Sequence, residues 1–503
     1  MSSQAATSDS PSTDRQAADE QRVLDSVPTG LLIDGQWRPA QSGRTLVVED
    51  PATGKSLIEV ADGDTTDALA ALDAAHRAQP AWATTPPRER GEILRRAFEA
   101  LIANAGDLAL LMTMEMGKPV AESRAEITYA AEFFRWYSEE AVRIPGDYRV
   151  APGGGSRLVV MRQPVGPCLF ITPWNFPMAM GTRKIGPAVA AGCTMVLKPA
   201  TLTPLSSLAL AQILIDAGLP PGVLNVVTTK SASRTTAPVI ADPRLRKLSF
   251  TGSTDVGKRL IAASADQVLR VSMELGGNAP FLVFADADLD SAVDGAMLAK
   301  MRNGGEACTS ANRFYVQRQV VDEFAARLAQ RMGSLRVGRG TEEGVAVGPL
   351  IDEGQRTTVA QLVDDAVAKG ARVLCGGAAR SGPGYFYEPT VLSPVPGDAA
   401  LLREEIFGPV APIVAFDTDE EAVDAANATE YGLVAYVYTS DLDRAVRVAE
   451  AIKSGMIGLN QGVVSNPAAP FGGVKQSGFG REGGREGIEE YLDVKYIAIK
   501  TAS

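Results

Sequence analysis

The sequence predicts an α/β fold built on parallel sheets of strand–helix–strand crossovers, and three observations carry that prediction. Short apolar runs alternate with helix-patterned stretches from about residue 160 to 270. A second alternating region runs from about 275 to 470. The 503 residues are 45% hydrophobic and 22% charged, an ordinary globular mixture long enough for roughly three domains.

The chain opens on "MSSQAATSDSPSTDRQAADEQ", rich in Ser, Thr, Ala, Gln and Asp. By composition, residues 1–28 read as a disordered tail. The stretch has no apolar secretory core, and its acidic residues fit a transit peptide poorly, so the cytoplasm is the expected compartment. Residues 86–118 read as one helix, with Pro86 in its first turn and Ile93, Leu94, Ala97 and Leu101 at helical spacing. "YAAEFFRWYSEEAVR" (129–143) reads as another. "RVAPGGGSRLVVMRQPVG" places a Gly-rich turn between two extended runs, the pattern of a hairpin.

Beyond Pro167 strands and helices alternate. "CLFITPWNFP", "AGCTMVLKPA" and "VLNVVT" are strands, and "TPLSSLALAQILIDAGLPPG" is a helix with a Gly-Leu-Pro stop. "KLSFTGSTDVGKRLIAAS" is strand, tight turn and helix. In the second region "QRTTVAQLVDDAVAKG" is a helix, and "ARVLCGG" is a strand expected to bury Cys375.

Charge and rare residues narrow the function. A formal net charge of −11 without a basic block argues against nucleic acid and an anionic membrane surface. No run approaches the roughly 18 apolar residues of a membrane span. The single histidine, His76, sits in "ALDAAHRAQPAW", the pattern of an exposed amphipathic helix. A histidine cluster for zinc is therefore impossible, and no metal site is expected. Of four cysteines, Cys168, Cys193 and Cys375 fall in separate apolar strands and read as structural, with no bridge between them. Cys308 differs. It lies in "NGGEACTSANR", among small and polar residues, where a thiol is reachable.

A literal G-x-G-x-x-G occurs at 478–483, but it follows the loop "PFGGVKQS" rather than a strand, and too little chain remains for a crossover unit. The better nucleotide candidate is Phe250-Thr251-Gly252-Ser253, where a strand ends and a helix begins. There Gly252 lets backbone approach a pyrophosphate at a positive helix end.

Six short motifs follow in order: "PWNFP" (173–177), "KPA" (198–200), "FTGS" (250–253), "ELGG" (274–277), "GEAC" (305–308) and "EEIFGP" (404–409). This combination resembles the aldehyde dehydrogenase superfamily from about Leu31 to the end. "ITPWNFPMAMGTRKIGPAVAAGCTMVLKPA", "VSMELGGNAPFLVF" and "GIEEYLDVKY" are similar to the succinate-semialdehyde dehydrogenases. The resemblance implies Cys308 as nucleophile, Glu274 as the base that activates water, and Asn175 as the side-chain donor to an oxyanion. It implies a dinucleotide, NADP or NAD, lined by Thr172, Pro173, Trp174, Lys198, Ala200, Thr201, Phe250, Gly252, Ser253, Leu275, Gly276, Glu405 and Phe407. "KPATLTP" holds no acid to repel a 2′-phosphate, so NADP is expected to be used well.

For a semialdehyde substrate the resemblance points to Arg183, Arg302 and Ser465, which match positions that bind the distal carboxylate. Charge-assisted donors suit that job. It implies an aldehyde dehydrogenase-like arrangement: a Rossmann-type parallel-sheet cofactor domain (29–146 and 163–273), an α/β catalytic domain (274–486) and a small β oligomerisation arm (147–162 and 487–503). The arm implies a homodimer or homotetramer. One departure is Glu306, where many relatives carry Gln; a charge there would oppose thiolate formation unless it points away or is paired. Alternatives are glutarate semialdehyde or an aliphatic aldehyde as substrate, and a cofactor-free thiol hydrolase using Cys308 and Glu274.

Overall fold

Strand pairing in the computed structural model, which describes residues 11–501, sorts the chain into two large sheets and two small ones. The first large sheet has five parallel strands at its centre. Their spatial order is Arg270–Glu274, Lys247–Thr251, Cys168–Ile171, Met195–Lys198, Leu224–Val226. Cys168–Ile171 and Met195–Lys198 are buried on both faces, which is why they read as near-continuous apolar runs rather than alternating ones. The chain winds outward from Cys168–Ile171 through two strands, then returns to its other side with Lys247–Thr251. That reversal leaves a crevice beyond the carboxyl ends of Cys168–Ile171 and Lys247–Thr251, where open α/β sheets bind ligands.

Antiparallel pieces close both edges. The hairpin of Leu31–Ile33 and Gln36–Arg38 pairs with Leu224–Val226, and Gly478–Phe479 pairs with Arg270–Glu274. The second large sheet runs Val373–Cys375, Thr390–Leu392, Val410–Phe416, Ala311–Gln317, Ala279–Val283, Val434–Tyr438, Met456–Leu459, all parallel except the first. Leu492–Lys500, Ser156–Pro164 and Asp147–Val150 form a separate three-stranded sheet, so the expected hairpin is present.

Several expectations need correction. Pro11–Asp25 is a helix, not a disordered tail. Val23, Leu24 and Val27 are buried, and Arg339 pairs with both Glu20 and Asp50. The polar composition hid three apolar residues clustered at the tail's end. Residues 1–10 of that tail lie outside the described residues. The helix expected over 86–118 is two, Pro87–Ala103 and Ala105–Met116, bent by 74° at Asn104. Pro87, not Pro86, takes its first helical position. Cys375 lies on an edge strand and is only half-buried. Cys193 precedes its strand; its thiol donates to the Tyr491 carbonyl at 3.4 Å, and that of Cys168 donates to the Gly166 carbonyl at 3.3 Å. His76 is exposed on the helix Thr65–Thr84, as expected. No single helix among the described residues is long and apolar enough to cross a membrane.

Candidate active site

The crevice at the sheet reversal is a cavity of about 250 Å³. Three strand ends supply its first wall. Pro173, Trp174 and Asn175 follow Cys168–Ile171, Gly252 and Ser253 follow Lys247–Thr251, and Glu274, Leu275 and Gly276 lie at the end of Arg270–Glu274. Cys308, Glu405 and Phe407 come from the second sheet's loops to complete it. The Trp174 and Phe407 rings meet edge to face at 5.3 Å. Close packing surrounds two of the glycines here. A Cβ on Gly277 would lie 2.5 Å from the Cys308 carbonyl oxygen, and one on Gly276 would lie 3.1 Å from Glu405 Oε2.

The three candidate catalytic side chains share this cavity. Asn175 is held from several sides. Lys118 Nζ donates to its carbonyl at 2.7 Å, Asn303 Nδ2 donates to the same oxygen at 3.1 Å, and its own Nδ2 donates to the Glu306 carbonyl at 3.0 Å. That leaves a second amide hydrogen free to point elsewhere. Cys308 sits in a loop made possible by left-handed backbone at Asn303 (φ 54°) and Gly304 (φ 60°). Burial pushes its thiol up to about 12. Arg183 and Arg302 pull it down, while Glu405 and Glu274 push it further up. Glu274 is 4% exposed, and neither carboxylate oxygen has a hydrogen-bond partner. Burial, then Glu482, raises its carboxyl well above the ordinary range against the pull of Arg183, Lys184 and Arg481.

A second cleft flanks the same loop, lined by Ala307, Thr309, Arg302, Tyr436 and Ser465 among others. Here Arg302 stacks over Phe176 at 4.9 Å and Tyr129 at 5.6 Å, and no carboxylate ion-pairs with it among the described residues. The Ser465 hydroxyl shares a hydrogen bond with Tyr129. Arg183 is placed differently. It is 2% exposed, packs over Phe471 at 3.8 Å, and lies with Nε 2.8 Å from Glu482 Oε2, an ion pair off line for a hydrogen bond. Burial pushes the Glu482 carboxyl up, but Lys184 and Arg183 outweigh it and hold it below the ordinary range.

The donor set fits a dinucleotide. The helix Thr254–Ser264 starts at the cavity, its N-cap Ser253 makes no side-chain cap, and its first amides are open to an anion. Glu405, raised to about 7 by burial, accepts from Gly277 N at 3.2 Å and keeps acceptor capacity at the cavity. Lys198 is 6% exposed with no side-chain hydrogen-bond partner among the described residues, and burial lowers it to about 8.

Five of the expected cofactor residues do not line the cavity. Thr172, Lys198, Ala200 and Thr201 lie along the adjoining strand ends, where Thr201 Oγ1 donates to the Thr229 carbonyl at 2.9 Å. Phe250 is core, packed beneath the Gly252 turn. Thr251, within the nucleotide candidate, lines the cavity as well, and Met180 and Gln355 line it without having been assigned a role from the sequence. Gln355 Nε2 donates to the carbonyls of Ile406 and Phe407, so it fixes a loop about 50 residues away that no local pattern announces.

Comparison with known proteins agrees with this geometry. The Aldehyde dehydrogenase family profile matches residues 37–497. The chain is 60% identical over 443 residues to a succinate-semialdehyde dehydrogenase of Paenarthrobacter nicotinovorans, covering 88% of this chain and 98% of that protein. It is 50% identical to a glutarate-semialdehyde dehydrogenase of Pseudomonas putida, covering 93% and 97%. The crystal structure of an Escherichia coli NADP-dependent enzyme superposes with a TM-score of 0.94 at 49% identity, covering 96% of this chain and 99% of that one. The chain belongs to the aldehyde dehydrogenase family.

Proposed function

We propose that this chain oxidises succinate semialdehyde to succinate, with Cys308 as nucleophile and NADP or NAD as cofactor. The observation that supports it best is Arg302, a cation without a carboxylate partner in a cleft beside the Cys308 loop, with Ser465 next to it. A distal carboxylate two methylenes away from the aldehyde carbon supplies the missing charge, and guanidinium and hydroxyl donors suit it. The P. nicotinovorans relative carries the name of that activity.

The residues divide the work as follows. Glu274, whose two oxygens are unpartnered in the cavity, receives the Cys308 thiol proton. The sulfur attacks the aldehyde carbon, the C–S bond forms, and the carbonyl pair moves onto oxygen. The free Asn175 amide hydrogen and the Cys308 N–H take that oxyanion, donors worth about 10²–10³ each in rate. When bound, the dinucleotide supplies the hydride acceptor, so the net change is aldehyde, water and oxidised dinucleotide to acid, reduced dinucleotide and a proton. Cys308 then holds a thioester. Glu274 releases the thiol's proton to solvent, which is the proton of the net change, and then takes one from water; the resulting hydroxide adds to the thioester carbon, and the thiolate leaves and recovers that proton from Glu274. Trp174, Gly252, Ser253, Leu275, Gly276, Glu405 and Phe407 would hold the dinucleotide in the cavity, with Lys198 and Thr201 towards its adenosine ribose.

Steady-state rates on succinate semialdehyde, glutarate semialdehyde and butanal, each with NAD and NADP, test the reading. Succinate semialdehyde should lead in kcat/KM, because one extra methylene is worth about ten- to two-hundredfold in a fitted pocket. A lead by glutarate semialdehyde, the activity named for the P. putida relative, would select that substrate instead. Butanal oxidised as well as either would remove the carboxylate argument. We propose also that the three-stranded sheet of residues 147–150, 156–164 and 492–500 joins copies of the chain.

A further inference from the structure

We propose that Glu306 is a positioning residue: its carboxyl pins the peptide that orients Asn175 and ties the Cys308 loop to the loop of Glu405 and Phe407 at the cavity. The inference rests on the catalytic reading above. It starts from the one residue of the nucleophile motif left without a role. Glu306 is 1% exposed, so its side chain does not face the cavity. The charges that act most on the Cys308 thiol are Arg183, Glu405, Glu274 and Arg302. The Glu306 carboxyl is instead turned to Ile351 N, which answers the concern that it opposes the thiolate.

Glu306 makes connections in three directions. Its carbonyl accepts from Asn175 Nδ2 at 3.0 Å and Asn303 Nδ2 at 2.9 Å, so this peptide sets the direction of the oxyanion donor. Its amide donates to the Asn303 carbonyl at 3.0 Å. Its Oε1 accepts from Ile351 N at 3.0 Å. Ile351 leads directly into the helix Glu353–Ala368, where Asp352 caps Gln355 N at 2.8 Å. Gln355 Nε2 then donates to Ile406 and Phe407, beside Glu405. The two loops also touch directly, since a Cβ on Gly305 would lie 2.2 Å from the Gly408 carbonyl oxygen. Phe407 itself holds a left-handed φ of 51°, which needs fixing by its neighbours.

An acceptor, not a charge, is what this place requires. No cation ion-pairs with Glu306 among the described residues, and Lys118 is committed to Glu126 at 2.6 Å. Burial raises the carboxyl well above its ordinary range. Gln presents an equivalent acceptor oxygen on the same stem, whereas Ala and Met present none.

The test compares Glu306→Gln, Glu306→Ala and Glu306→Met, the last preserving bulk should Ala fail to fold. Two quantities are read: the rate of the first-turnover burst of reduced cofactor, and the alkylation rate of Cys308 by iodoacetamide without cofactor, followed by intact mass. Glu306→Gln should stay within about threefold of wild type on both. Ala and Met should slow the burst about ten- to a hundredfold, the scale of a lost buried hydrogen bond, with little change in aldehyde KM. They should also alkylate several-fold faster, because an unpinned loop exposes the sulfur. A Gln variant as damaged as Ala would overturn the proposal, as would Ala and Met variants normal on both readouts. Failure of the catalytic reading is distinguishable, since wild type would then show no burst or Cys308→Ala would retain one.

Discussion

Arg183 and Arg302 match the same kind of position in the sequence, yet their surroundings part them. Arg302 stands in the second cleft without a carboxylate partner, while Arg183 is buried against Glu482, whose other oxygen meets Lys184. Arg302→Ala should therefore reduce succinate semialdehyde oxidation about ten- to a hundredfold and leave butanal nearly untouched. Arg183→Ala should damage both aldehydes and lower thermal stability, because it leaves Glu482 less compensated next to Glu274. Equal selectivity in both variants would contradict this division. Glu274 sets a second expectation. Burial and Glu482 raise its carboxyl, and only the deprotonated form accepts a proton from water. Thioester hydrolysis should rise with pH through a midpoint well above the ordinary carboxylate range. Glu274→Gln should give a burst and then stall. A hydrolysis rate that is flat across the acid limb, or a Gln variant with full turnover, would count against the base assignment. Cys308, Glu274 and Asn175 were legible because each stands in a short motif with fixed neighbours. Gln355, Glu482 and Tyr129 were not, since each matters through a partner far along the chain.

Elements were legible where hydrophobic period and punctuation agreed. The buried strands show as apolar runs, and "FTGS" marks a strand turning into a helix at the sheet reversal. Two elements defeated that logic. The glycines at 478–483 resemble a phosphate loop but serve the sheet instead. Gly478 (φ 108°) pairs with Glu274, and a Cβ there would lie 1.9 Å from the Met273 carbonyl oxygen. That close approach helps set the backbone that carries Glu274, and the same run places Glu482 beside Arg183. The other is the helix Pro11–Asp25, whose polar face dominated its composition. Val23 and Leu24 on it, and Val27 just beyond it, join the core of the first sheet's helices. Burying them contributes on the order of 4 kcal/mol. Deleting residues 1–27 should lower the melting temperature by several degrees with kcat unchanged, as seen by calorimetry and steady-state rates. An unchanged melting temperature would show that the helix adds nothing to the folded chain.

At the scale of the whole molecule the small sheet is the part a single copy leaves unfinished. Its longest ladder runs from Leu492↔Pro164 to Lys500↔Ser156, joining segments some 300 residues apart. Turn residues made the hairpin legible; the return of the C-terminal strand to it was not, because nothing local marks so distant a partner. Tyr148, Val150, Val494, Tyr496, Ile497 and Ile499 are all exposed, Tyr496 to 59%. Alternation along the last strand puts Val494 and Tyr496 on one face and Ile497 and Ile499 on the other, so both faces carry apolar side chains. A three-stranded sheet bare on both faces, with Asp147–Val150 as an open edge, is an unstable and sticky arrangement in water. The proposed association of copies through this sheet would supply the cover. The double variant Tyr496→Glu, Ile497→Glu places charge on both faces without touching the ladder's hydrogen bonds. It should convert a wild-type dimer or tetramer to monomers in size-exclusion chromatography with light scattering. Cys308, Glu274 and Asn175 converge within a single copy of the chain, so the monomers should still give a burst of reduced cofactor. A wild type that already runs at the mass of one chain, or a double variant that stays associated, would mean that this sheet does not hold copies together.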